Sequence, residues 1–360
     1  MDVIDPARMG ASEPSSAAPR PRRRRRVAAV AAAVIVGALV AFGLSRLDFS
    51  RIGHALITAS PGWLALALAL MAASLLLRSV SWQQTLRAAL PETSIPWPPV
   101  VRATMIGVMA SALFPGRIGE PTRVLVLSRR LPGSRRHLLP IVAGTVFSQT
   151  LINLLALAAL ALVTFTSVPL GGGHVTAVVV ALAIPLAICL VVIAAPRLLI
   201  LGRRSRSQRL GRISERLARA LVLARQGLVV FARPRHGAAA VAFQLGAWAL
   251  QWLSCYSVLL ALGLDDQAGL AGAAAILLAV NVSAVLPATP SNVGVFQAAC
   301  LVVLAAYGVG AGPGLAYGII LQAIEVITAV ALGLPALLRE GIAWGELRGD
   351  VERSAAEGAE

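Results

Sequence analysis

Long apolar runs recur along this chain with arginines set between them, and no other feature constrains the fold as tightly. A helical run of about 18 residues is long enough to cross a hydrocarbon layer of about 30 Å. Strong candidates are 27–44, 62–77, 138–165, 175–195, 238–262 and 315–338. With 58% of residues apolar and only 13% charged, a soluble domain of 360 residues could not cover its core. The expectation is an all-α polytopic membrane protein with about six full crossings. The first run follows Arg22 to Arg26, as a signal peptide would. It lacks a small-x-small cleavage site and exceeds a signal core in length, which favours a first membrane helix.

In a soluble chain the net charge of +16 would suggest nucleic acid. Here every basic residue is arginine and lies between apolar runs, so the charge reads as a topology signal and as attraction to anionic headgroups. Two further runs, 100–114 and 270–307, are interrupted in their middles by Pro and Gly. If each is a hairpin entering and leaving on one side, and the N-terminus is cytoplasmic, the cytoplasm receives the arginines at 20–26, 78–102, 117–136, 197–235 and the tail. Arg46 and Arg51 fall on the opposite side, with Asp265 and Asp266. A full crossing by 100–114 would export the Arg-rich 117–136 segment, against the positive-inside rule.

Two re-entrant helical hairpins in a cell membrane are therefore expected, with both termini cytoplasmic. Residues 1–26 are read as a disordered N-terminus, 27–339 as the transmembrane domain and 340–360 as a cytoplasmic tail. Segment 197–236 carries eleven arginines around Ile213, Leu217, Ala220, Leu221 and Leu223. It suits a helix on the membrane surface, or a solvated linker, and 197–235 could dock a cytoplasmic partner. Trp82 and Trp97 are assigned to the interfacial belt. Cys189, Cys255 and Cys300 read as small packing residues, and the four His lack ligand spacing, so neither a metal nor a cofactor is expected.

The polar chemistry sits at the interruptions. The first reads Ser111-Ala112-Leu113-Phe114-Pro115-Gly116-Arg117-Ile118-Gly119-Glu120-Pro121. The second reads Ser283-Ala284-Val285-Leu286-Pro287, continuing to Pro290-Ser291-Asn292-Val293-Gly294-Val295-Phe296-Gln297. A span bearing amides follows each: Gln149 and Asn153 after the first, Gln322 with Glu325 after the second. Similar units inserted in opposite senses mark the inverted repeats of transporters. Chance similarity of two short breaks is the plain alternative. Pro and Gly make each tip non-helical, and the returning half-helices are expected to restart near Glu120-Pro121 and Ser291-Asn292 with free N–H groups inward.

Arg117 and Arg123 add full positive charge. At mid-membrane each would cost about 2.5–3.5 kcal/mol, so they should be paired or line a cavity. Glu120 between them is the natural partner. One reading makes this an anion site for a phosphate headgroup; the other has Glu120 capping the half-helix and pairing with arginine at the cytoplasmic rim. Gln149, Asn153, Gln244, Gln251, Asn281, Gln297, Gln322 and Glu325 read singly as helix–helix hydrogen bonds and together as a polar interior. Glu325, alone among acids in lying deep in an unbroken span, could couple to protons.

At these residues, over about 27–340, the chain resembles the flippase-like transmembrane domain of the lysylphosphatidylglycerol synthase family. Its Pro-Gly, Gly-Glu and Arg pattern is matched by Pro115, Gly116, Gly119, Glu120 and Arg123. The second break carries Pro287, Pro290 and Gly294, but the family's Pro-Gly-Gly turn is altered here to Pro290-Ser291-Asn292. Gln297 stands where the family usually has an acid, and Gln149, Thr150 and Asn153 stand where it has a charged pattern. No soluble aminoacyl-transferring domain is expected, as in stand-alone relatives of the family.

The resemblance implies translocation of an anionic phospholipid or a polyprenyl-phosphate-linked lipid without aminoacylation. Headgroup contacts would come from Arg117, Glu120, Arg123, Gln149, Asn153, Ser291, Asn292, Gln297, Gln322 and Glu325. An enzyme is not expected, since Asp-x-Asp, His-Glu-x-x-His and Gly-x-Ser-x-Gly signatures are lacking. A non-catalytic scaffold or regulator docking its partner on 197–235 is the remaining alternative.

Overall fold

The computed structural model describes residues 58–113, 118–132, 135–167, 230, 233–284 and 293–340. They belong to one compact unit, Asp48–Glu360. The expected runs 27–44 and 175–195, residues 197–229 of the Arg-rich segment and both chain ends lie outside the described residues. Among the described residues the chain is all helical: α1 (Pro61–Ala89), α2 (Trp97–Leu113), α3 (Gly119–Ser128), α4 (Arg135–Ser167), α5 (Pro234–Ala261), α6 (Asp265–Ser283), α7 (Val295–Ala306) and α8 (Ala311–Glu340).

Five helices are long and apolar enough to cross a membrane. Four of them, α1, α4, α5 and α8, fall on expected spans. The fifth, α6, is the first arm of the second interrupted run. Large apolar side chains such as Val302 and Leu338 stay more than two-thirds exposed, at 71% and 72%. A chain in water would bury them; a chain in lipid gains nothing by doing so.

The most extensive helix–helix packing is between α1 and α5, which run antiparallel. Ser60 N–H donates to Ala261 C=O at 2.9 Å at one end of the pair, and His236 Nδ1 meets Gln84 Oε1 at 3.0 Å near the other. Between them, Ser81 Oγ donates to Ala240 C=O and Ser254 Oγ to Ala67 C=O, each at 2.8 Å. Both helices begin with proline, which suits a first helical position because its missing N–H has no partner to lose there. Pro61 and Pro234 are separated by 173 residues, as are Ser81 and Ser254, Ala67 and Ala240, and Arg78 and Gln251. The two serine bonds are one contact made twice.

That relation extends to the whole set of helices. Exchanging α1–α4 with α5–α8 maps the packing onto itself: α2 on α8 becomes α6 on α4, α3 on α4 becomes α7 on α8, and α1 on α2 becomes α5 on α6. Because the exchanged helices α1 and α5 are antiparallel, the two halves are inverted relative to each other.

Each half contains a helical hairpin. Arg102, early in α2, and Arg130, just past α3, both pair with Glu340 at the end of α8, at 2.5 and 2.6 Å. The first hairpin therefore opens at the α8 end of the bundle. Gly272 in early α6 faces the ring of Tyr307, just past α7. The second hairpin opens where α5 ends and α8 begins, at the opposite end. Each hairpin has its own apolar core. One gathers Trp82, Ile106, Met109 and Leu127; the other gathers Trp248, Ile276, Leu304 and Tyr317.

Two side chains depart from their expected places. Trp82 is fully buried, and its indole N–H donates to Thr145 Oγ1 at 3.1 Å, so it is a core residue rather than part of an interfacial belt. Trp97 remains 42% exposed and donates to Ser79 Oγ. Arg78, grouped by sequence with the cytoplasmic rim, lies inside the 29-residue helix α1.

Candidate functional site: a polar chain between two hairpins

The first hairpin turns at a close approach of backbones. Gly107 on α2 and Gly119 at the start of α3 are so near that a Cβ on Gly107 would lie 2.8 Å from the Gly119 carbonyl oxygen. Only glycine permits this contact. It sets the first turn of α3 against the middle of the bundle, with Glu120 exposed in that turn and Pro121 beside it. The restart expected near Glu120-Pro121 is the one observed.

One turn further along α3, Arg123 points inward. Its Nη1 donates to Gln149 Oε1 at 2.8 Å, and its guanidinium lies 5.0 Å from the centroid of the Trp82 ring. Gln149 uses its other end to donate from Nε2 to the Arg78 carbonyl at 3.1 Å. Gln149 is close to midway along α4, which puts this contact deep in the bundle. Arg123 also feels the charges of Glu120 and Arg78.

Arg78 continues the chain. Its guanidinium donates to Gln251 Oε1 on α5 and lies 5.7 Å from the ring centroid of Trp248. The carboxyl of Glu325 on α8, which also interacts with the Gln251 side chain, is the negative charge that acts on Arg78. Trp248 Nε1 and Gln244 Nε2 both donate to Asn153 Oδ1 at 2.9 Å.

The second hairpin repeats the pattern in neutral form. Gly294 adopts a φ of +87°, a conformation that favours glycine, and precedes the first turn of α7. Its N–H donates to Gln297 Oε1 at 2.7 Å, while Gln297 Nε2 donates to Gln322 Oε1 on α8. Gln322 lies 173 residues beyond Gln149 and one turn before Glu325. The start of α7 is thus at Val295 rather than at Ser291-Asn292, because the turn at Gly294 and the Gln297 amide satisfy the free end of the helix.

Hydrogen bonds link Arg123, Gln149, Arg78 and Gln251 in one run and Gln297 and Gln322 in another, and Glu325, one turn beyond Gln322 on α8, lies between the two runs in order. The series runs from α3 through α4, α1, α5 and α8 to α7, and reversing it exchanges the two halves. Its charge does not follow the symmetry. Both arginines belong to the first half; the second half answers with amides and one carboxyl.

Of the residues anticipated as headgroup contacts, the structure joins Arg123, Gln149, Gln297, Gln322 and Glu325 in this chain and sets Asn153 beside it. Glu120 is at its rim. Arg117, Ser291 and Asn292, with the hairpin residues Pro115, Gly116, Pro287 and Pro290, lie outside the described residues. Sequence reasoning missed Arg78, Trp82, Trp248 and Thr145. The signal that could have found Arg78 is its separation from Gln251, which equals that between the two helix-opening prolines.

Two donors in the chain stand out. The Nε–H groups of Arg78 and Arg123 are shut off from solvent and have no hydrogen-bond partner among the described residues. A buried unpaired donor of a charged group is costly, so the arrangement favours an oxygen acceptor at that place. No match to a curated protein was found. The family model for the lysylphosphatidylglycerol synthase TM region matches residues 28–333, and the chain belongs to that family of multi-pass membrane proteins.

Proposed function

We propose that this protein is a flippase, moving an anionic phospholipid or a polyprenyl-phosphate-linked lipid between leaflets without covalent chemistry. The observation that carries this reading is Arg123. A guanidinium held inside a lipid-embedded bundle by Gln149 and Trp82, with one N–H unspent, is suited to a phosphate oxygen. The first turn of α3, which has no side-chain cap and begins one turn before Arg123, would add free backbone N–H groups. Arg117, which precedes that turn, would contribute a second charge.

Length supports re-entrant hairpins. At about 1.5 Å per residue, the 10 residues of α3 and the 12 of α7 fall well short of a bilayer. Each would dip to mid-depth and leave on the side it entered. Inverted halves with broken helices at the midplane are the framework on which alternating access operates. Family membership supports a role with membrane lipids.

Proteoliposomes carrying labelled phosphatidylglycerol in one leaflet test the proposal. Wild-type protein should equilibrate the label between leaflets, and Arg123→Ala should abolish the excess over empty vesicles. Equal rates for the two proteins, or no excess for wild type, would remove the basis for this function.

A further inference from the structure

We propose that Arg78, at the centre of the symmetric chain, is a second ligand for the phosphate group, and that Gln251 and Glu325 hold it in reserve until the headgroup arrives. The inference rests on the flippase reading and adds to it a residue, a location and a competition.

Four observations converge. Arg78 and Arg123 are tied to the same amide, since Gln149 accepts from one side chain and donates to the carbonyl of the other residue. Each presents a buried Nε–H with no partner among the described residues. Each lies over an indole face, Trp248 for Arg78 and Trp82 for Arg123, which fixes a guanidinium without using its N–H groups. The two positive charges also repel each other, and a shared anion is what turns two such arginines into a favourable pair. A tetrahedral oxyanion with three or more acceptor oxygens satisfies both Nε–H donors at once. A neutral headgroup does not.

The counter-ligand is built on the other half. Gln251 accepts from Arg78, and the Glu325 carboxyl acts on both through its charge, with no direct ion pair to Arg78 among the described residues. That link is weaker than a bidentate Arg–carboxylate pair and can yield to a phosphate. Arg78 would exchange Gln251 for the headgroup as lipid enters, and return to it as lipid leaves. Arg123 has no such counter-ligand on α8. The first half thus binds and the second half releases.

The competition gives opposite signs to two substitutions. Arg78→Gln, which places on α1 the residue already found at the equivalent point of α5, removes a ligand and should weaken phosphate-lipid binding about tenfold. Glu325→Gln keeps the size and polarity of the side chain, removes the competing charge and should tighten binding by several-fold. A purely structural role would lower thermal stability in both variants and shift affinity the same way. Arg78→Lys keeps the charge and serves where Arg78→Gln fails to fold.

Purified full-length protein in detergent should be titrated with phosphatidylglycerol, with diacylglycerol and with inorganic phosphate, binding being read by ligand-induced thermal shift. Phosphatidylglycerol is expected to bind wild type, more weakly Arg78→Gln or Arg78→Lys, and more tightly Glu325→Gln. Binding of inorganic phosphate with the same order of variants would keep the site and assign its ligand to free oxyanion. Unchanged affinity in Arg78→Gln and Glu325→Gln, with Arg123→Ala impaired, would overturn the role of Arg78 and leave the flippase reading intact. Failure of phosphatidylglycerol and phosphate to bind wild type would overturn both.

Discussion

Arg78 hydrogen-bonds Gln251, its own counterpart 173 residues further along the chain. A residue on a pseudo-twofold axis can meet its equivalent in this way, and here the two are chemically different. The bond makes the inverted relation of the halves visible in one contact and also shows where they have diverged. Gln251 also interacts with the Glu325 carboxyl. Gln251→Leu is therefore expected to lower stability by about 1–3 kcal/mol, since it removes the side-chain acceptor of the Arg78 guanidinium. Adding Arg78→Leu should recover part of that loss. A double-mutant cycle on melting temperature in detergent checks the coupling, and simple additivity would argue against a linked pair.

The first hairpin depends on bare backbone. A Cβ at Gly119 would collide with the Gly107 carbonyl and the Ser111 hydroxyl, and both belong to α2. Gly119→Ala should cost about 1–3 kcal/mol by prising α3 from α2, and should move Arg123 away from Gln149. Gly62→Ala is the control, because nothing lies within 4 Å of that position. Melting temperatures of the two variants should separate clearly.

Glu340 closes the same hairpin at its open end. Its side chain is 1% exposed and accepts from Arg102, at 29%, and from Arg130, at 45%. Glu340→Ala leaves two arginines unpaired and should destabilise more than either arginine substitution. Arg102→Ala should in turn cost more than Arg130→Ala, because the more exposed pair is better screened. Thermal melts at low and high salt give this order directly.

The serine contacts between α1 and α5 offer a test of symmetry. Ser81→Ala and Ser254→Ala should each cost about 0.6 kcal/mol, the usual worth of a hydrogen bond between membrane helices. Leucine at either place should cost far more, since both sites are fully buried. Unequal losses for the two alanine variants would show that the halves are not mechanically equivalent.

Much of this architecture was legible in the sequence. Helices α1, α4, α5 and α8 follow from apolar runs alone, and the breaks at Pro115 and Pro287 announce hairpins because Pro and Gly interrupt helices. Gln149 and Gln322 were marked because amides are rare in apolar spans. What failed was the treatment of charge as an end signal. Reading 62–77 as a span stops at Arg78 because arginine terminates a hydropathy run, yet α1 continues past it to Ala89. A partnered arginine can sit inside such a helix, and its partner Gln251 is 173 residues away, beyond any local pattern. Trp82 was misplaced for the same reason: once Arg78 is put at a rim, a tryptophan one turn later looks interfacial. The start of α7 was set too early because Ser291 and Asn292 are good caps, whereas the positive φ of Gly294 decides the turn.

The central claim is that two hairpins enter an inverted bundle from opposite faces. Single cysteines at Pro132, beyond α3, and at Ala306, at the end of α7, report on it in a cysteine-free background; both positions are exposed. A membrane-impermeant thiol reagent added to intact cells should label Ala306→Cys and spare Pro132→Cys until the membrane is opened. Labelling of both from the same side would contradict the account.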